Sequence, residues 1–226
     1  MRRVGGGKGR MAMERETSFE DCAVVACGTL ALELNHLKQS GFLNARKLLF
    51  TKPGRHEVPK ELETQLVDRI QQARRIADRV IVAYGGKFCY INPSDPYRTI
   101  DGIIAEQGGG VSRIEATHCV DMLADAEERE AISNGQKVFW LTPGWVLHRH
   151  HVFQDWDEGK ANETFPQNAG GAILLDALGF WDEYSERQPE RILDFSDWMG
   201  IPILPHCVSL ERFQRLLADC AQKLLP

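Results

Sequence analysis

The sequence contains no Cys-x-x-Cys pair and no run of eighteen or so consecutive apolar residues. The first absence excludes a locally written zinc ribbon or thioredoxin-type dithiol, so any shared cysteine site has to be assembled by the fold. The second leaves no candidate for a membrane-spanning helix. Gly5-Gly6-Gly7-Lys8 occupies the place where a secretory signal would need an apolar stretch. The same residues fail as a phosphate-binding loop, because Gly9-Arg10 follows the lysine and no strand precedes it. An excess of positive charge is also missing. The 27 Lys and Arg stand against 32 Asp and Glu, a formal net charge of -5, which argues against nucleic acid or a membrane surface as partner. A cytoplasmic, reducing location is expected, where the six cysteines are thiols or ligands rather than a disulfide framework.

What is present is the composition of a globular protein, with 43% hydrophobic and 26% charged residues over 226 positions, enough for one sizeable core. Residues 1–20 read as a disordered, Gly-rich basic leader and 21–226 as a single α/β domain. Short apolar runs alternate with longer helical patterns, which predicts a Rossmann-like open, mostly parallel sheet with helices on both faces. The expected strands are 23–26, 47–50, 80–83, 111–116 and 138–141, followed by 192–195 and 201–204. Pro202 places the last at an edge. Helices are expected over 29–39, from Pro59 through Leu62, Leu66, Ile70, Ala73 and Ala77, near 97–106, after Cys119, and over 170–178. A closing helix capped by Ser209 carries Leu210, Phe213, Leu217, Cys220 and Leu224 on one face.

In an open parallel sheet, ligands bind beyond the carboxyl ends of the strands. Cys27 falls just past the first expected strand, Cys89 in the loop after the third, and His118-Cys119 directly after the fourth. Topology alone therefore brings them to one edge. Three thiols and a histidine suit zinc or another thiophilic metal, and a thiolate near a helix N-terminus also suits nucleophilic or redox chemistry. His118 reads equally as ligand, proton carrier or loop residue. Cys220 and Cys22 read as core packing, and His148, His150 and His151 as a solvated helix face. His206-Cys207 follows the last expected strand, with Pro202 and Pro205 beside it. Tyr84, Tyr90 and Trp145 flank the strand ends and could wall a pocket. Asp95, Asp121 and Asp176 form no catalytic dyad by spacing.

Ala26-Cys27-Gly28-Thr29-Leu30 with Glu33, Arg55-His56-Glu57-Val58-Pro59, Val82-Ala83-Tyr84-Gly85 with Cys89, His118-Cys119-Val120-Asp121-Met122-Leu123 and Leu141-Thr142-Pro143-Gly144-Trp145 together resemble the bacterial and archaeal family called domain of unknown function 1638. Cys89 stands further from Tyr84-Gly85 than in that pattern, and His118 replaces its usual aspartate. The resemblance spans roughly residues 22–220. It implies a family metal site that adds His56 to the dispersed cysteines, in a setting of corrinoid-dependent methyl transfer or one-carbon metabolism.

Two functions of different class follow as expectations. In one, Cys27, Cys89 and Cys119 with His56 or His118 hold zinc or another thiophilic metal, in an enzyme or accessory protein whose partners are corrinoid or methyltransferase proteins. In the other, a pocket formed by Gly28, Tyr84, Gly85, Thr142, Gly144 and Trp145 holds a small molecule or a corrinoid without turnover.

Overall fold

The computed structural model describes residues 18–55, 58–86 and 88–225. His56 and most of the expected leader lie outside the described residues. Among the described residues seven strands and interleaved helices form the expected Rossmann-like α/β arrangement, its parallel strands divided between two sheets. In the first, β1 (Cys22–Cys27), β2 (Lys47–Thr51), β3 (Arg79–Ala83) and β4 (Val111–Arg113) run in the order β2-β1-β3-β4. In the second, β5 (Phe139–Leu141), β6 (Ala172–Asp176) and β7 (Ile203–Cys207) run in the order β5-β6-β7. Three crossovers connect the first sheet. The chain leaves β1 to one side for β2, then passes back over β1 to reach β3 on the other side. The carboxyl ends of β1 and β3 thus flank a topological switch point, where diverging connections open a crevice.

The central strand explains itself. Cys22-Ala-Val-Val-Ala-Cys27 is apolar throughout and nearly all buried, as a strand with helices on both faces must be. On one face, α1 (Ala31–Gln39) and the closing helix α10 (Glu211–Lys223) join Val24, Ala26, Ile81 and Ile114 through Leu34, Leu37, Phe213 and Leu217. On the other, α2 (Pro59–Arg74) and α3 (Ile100–Ala105) bring Leu62, Leu66, Ile70, Ile100 and Ile103 against Ala23, Val25, Val80 and Val82. Pro59 stands in the first turn of α2, where its missing amide hydrogen is no loss. Gly41, with φ +83°, follows α1 in the left-handed conformation expected of it.

After β4 a 3-10 turn over Val120–Met122 replaces the start of the expected helix, and α4 (Ala126–Ser133) begins only at a capping box between Asp125 and Glu128. The second sheet is wrapped by α5 (Pro143–Leu147), α6 (Arg149–Val152), α7 (Glu158–Thr164), α8 (Phe180–Arg187) and α9 (Pro189–Met199). Leu141 and Leu174 meet Phe153, Phe165 and Phe195 on one side. From the other side, Ile173 and Leu175 enter the same core as Val24 and Phe213.

Two expectations reverse. The 170–178 segment holds β6, not a helix, and 192–195 lies inside α9, not a strand. The last strand begins at Ile203 rather than Ile201, and the fourth is confined to Val111–Arg113.

Candidate functional site

Beyond the switch point lies a cavity of about 290 Å³ whose lining includes Cys27, Tyr84, Gly85, Cys89, His118, Cys119 and Trp145. Seven of the residues expected from sequence therefore do meet. Cys27 is the last residue of β1, paired across the ladder with Thr51 of β2. The Thr51 hydroxyl bonds in turn to the Tyr84 hydroxyl just past β3. Thr29 donates its hydroxyl hydrogen to Cys27 Sγ at 3.2 Å.

The loops after β3 and β4 are stitched together by main-chain bonds from Gly86 N to Ala116 O (2.9 Å) and from Phe88 N to Thr117 O (3.2 Å). Their approach explains Gly85: a Cβ there would stand 2.3 Å from the Cα of His118. Arg113 braces both loops, with Nη1 donating to the carbonyls of Ile114 (2.7 Å) and Ala116 (3.0 Å) and Nε to Asp101 (2.7 Å).

The other wall comes from the second sheet. Val138, Phe139 and Trp140 line the cavity, and Trp145 on α5 donates its indole hydrogen to Cys119 Sγ at 3.4 Å. Gly144 lets α5 dock, since a Cβ there would lie 1.9 Å from the carbonyl oxygen of Thr29. Gly28, Thr142 and Gly144, expected in the pocket, are not part of its lining, and the Thr142 hydroxyl is buried without a hydrogen-bond partner.

Burial governs the electrostatics. It pushes Cys119 up to about 12, with the Trp145 hydrogen bond opposing and Cys27 adding to the rise. It also pushes Cys89 far up, reinforced by Cys119 and then Cys27, while the amides of Gly85 and Cys119 oppose it. All three thiols line this one cavity. Among the described residues, however, no three His, Cys, Asp or Glu side chains are grouped so as to hold a metal ion.

His118 is lowered chiefly by burial, then by the charge of Arg129. Its Nδ1 accepts from the amide of Asp121 at 3.1 Å, so the neutral ring carries its proton on Nε2. Asp121 is a structural acid. Burial pushes it up, but the amide and hydroxyl of Thr117 (2.7 and 3.0 Å) and the guanidinium groups of Arg212 and Arg129 outweigh that and hold it below the usual range.

His148, His150, His151, His206 and Cys207 lie away from the cavity lining, the last exposed on β7. Cys22 and Cys220 are buried. Two residues that bear on the site stood in the family-like motifs of the sequence but were not among the expected site residues. Arg55 lines the cavity with its Nε buried and unpartnered. Glu33 on α1, close enough to influence Cys119, is 0% exposed and has neither carboxyl oxygen hydrogen-bonded.

The fold and site together define an open parallel α/β protein with a thiol-lined pocket at its switch point. The chain belongs to the family described as protein of unknown function (DUF1638), whose model matches residues 50–217. Cys89, Cys119 and Trp145 fall within the matched span, and Cys27 and Glu33 precede it. No curated protein and no solved structure matches the chain. No helix among the described residues is long and apolar enough to cross a membrane.

Proposed function

We propose that this protein binds a small molecule in the thiol-lined cavity between its two sheets. The cavity itself carries the reading: about 290 Å³, walled mostly by apolar and aromatic side chains, at the edge where open α/β sheets hold ligands. The volume lies at the low end of the ~300–1,000 Å³ typical of small-molecule pockets. It is too small for a corrinoid, which on this reading belongs to a partner protein rather than to the pocket. Small fragments that would replace on the order of ten waters, at about 30 Å³ each, screened on chelator-treated protein, should include hits that raise the melting temperature. A ligand at a hundred times its Kd stabilises by about 2.7 kcal/mol. Val138 stands half-buried in the lining, so Val138→Trp should abolish those hits. A silent screen, or hits indifferent to that substitution, would count against the pocket.

A second reading is favoured by the presence of Cys27, Cys89 and Cys119 in one cavity lining. Three sulfurs in an apolar cavity are chemically suited to zinc or another thiophilic metal, which when bound would supply Lewis acidity. The thiols would have to shed protons and draw closer, as the present grouping does not assemble a cage. His118 is the weaker donor, because a lone pair on Nε2 would require the proton to move to Nδ1, where it faces the Asp121 amide hydrogen. Elemental analysis after anaerobic purification should find stoichiometric metal that disappears in Cys119→Ser. Protein that is metal-free from the outset would exclude this reading and leave the pocket untouched.

A further inference from the structure

The geometry points to a small monocarboxylate with an apolar or thioether body as the ligand of this cavity, its carboxylate read by Arg55. The inference rests on the pocket reading and is independent of any metal. Arg55 follows β2 and is the only formally charged side chain lining the cavity among the described residues. One arm of its guanidinium is held, Nη1 standing 3.0 Å from Glu61 Oε2. The side chain is 12% exposed, and its Nε is buried with no hydrogen-bond partner. A buried charged donor left unmade is costly and rare in native proteins, and a shift of the side chain toward a ligand acceptor in the cavity would remove the defect.

The rest of the lining narrows the chemistry. Leu30, Leu62, Phe139 and Trp145 present apolar surface, and Cys27, Cys89 and Cys119 add sulfur to the same walls. A guanidinium fork matches a planar carboxylate, whereas a phosphate dianion would meet no second cation among the described lining residues. The body of the ligand has to suit carbon walls and soft sulfur, which a short alkyl or methylthio chain does.

The test is calorimetric titration of the full chain, with chelator present, using straight-chain and methylthio carboxylates from propionate to hexanoate. Each acid is paired with its methyl ester, and inorganic phosphate runs alongside. At least one acid should bind about tenfold or more tightly than its ester, the effect of one charge-assisted hydrogen bond. Arg55→Gln should lose that preference, Arg55→Lys should keep part of it, and Glu61→Gln, which releases Nη1, should tighten acid binding. Circular dichroism of each variant before titration establishes that it is folded. Esters binding as well as acids, phosphate preferred over every acid, or an acid preference that survives Arg55→Gln would overturn the inference while leaving the pocket standing. Silence from acids and esters alike would overturn the inference, while the pocket reading stands or falls on the fragment screen.

Discussion

Glu33 is an acidic side chain whose position predicts a measurable pH dependence. It sits on α1 with both oxygens buried and no hydrogen-bond partner for either, and burial pushes it up to about 7, its own backbone amide opposing and the negative charge of Asp176 adding to the rise. The folded protein therefore holds a proton there that the unfolded chain releases near 4.5, the ordinary value. A group raised in the folded state stabilises fully below its unfolded value. That contribution is lost as pH climbs from about 4.5 toward 7. At ~1.4 kcal/mol per pH unit the loss is on the order of 3 kcal/mol. Urea denaturation at pH 5 and pH 8 should show the native protein losing that much more stability than Glu33→Gln, and parallel profiles would rule the assignment out. Glu33 stands in one of the family-like motifs, but its burial is not legible there, since it reads as an ordinary helix residue until α5 packs on α1. Arg55 likewise stood in such a motif, but its place in the cavity lining depends on the fold. Cys27, Cys89 and Cys119 were legible because strand-end position is a property of chain order, and parallel topology does the rest.

The segments misread from sequence are those where a short apolar run carries no period. Ile192-Leu193-Asp194-Phe195 suits a strand locally, yet Ile192, Phe195 and Met199 are the buried residues of α9, and that i, i+3, i+7 spacing is helical. Pro189 in its first turn and Gly200 in left-handed conformation at its end were the available signals. Residues 172–176 look continuous with a helical pattern, but β6 is buried at every position and starts after Gly171 at φ +79°. The junction of α5 with the turn after β1 was equally unreadable, because contact between distant backbones leaves only a glycine in the sequence. Gly144→Ala tests it. The new Cβ would fall 1.9 Å from Thr29 O, so α5 must move and take Trp145 off Cys119 Sγ. Overpacking of this kind costs about 1–3 kcal/mol or more. The variant should melt lower and its Cys119 should react faster with a thiol reagent. Gly109→Ala, with nothing within 4 Å of the added carbon, serves as control. Equal melting of the two variants would mean that α5 does not dock as described.

The two sheets share one core, and this makes a prediction about the whole molecule. Ile173 and Leu175 of the second sheet belong to the same buried cluster as Val24 and Ile81 of the first, and α10 contributes Phe213, Leu217, Cys220 and Ala221 to it. That helix follows the second sheet in sequence but packs on β3 and β4. Its Arg212 donates to the carbonyl oxygen of Asp121 at 2.5 Å and to its carboxylate at 3.1 Å, bracing the turn that carries His118 and Cys119. Folding of the pocket should then be inseparable from folding of both sheets. The tryptophans allow a clean measurement, because Trp140, Trp145, Trp156, Trp181 and Trp198 all lie in the second half of the chain. Phe213 is 0% exposed, and Phe213→Ala in such a site costs roughly 3–5 kcal/mol. If the molecule unfolds as one unit, tryptophan fluorescence and far-ultraviolet circular dichroism should trace one coincident urea transition, and both should move to lower urea together. If the sheets were independent, the fluorescence midpoint would stay in place while the dichroism split into two steps. The shared cluster predicts the coincident shift.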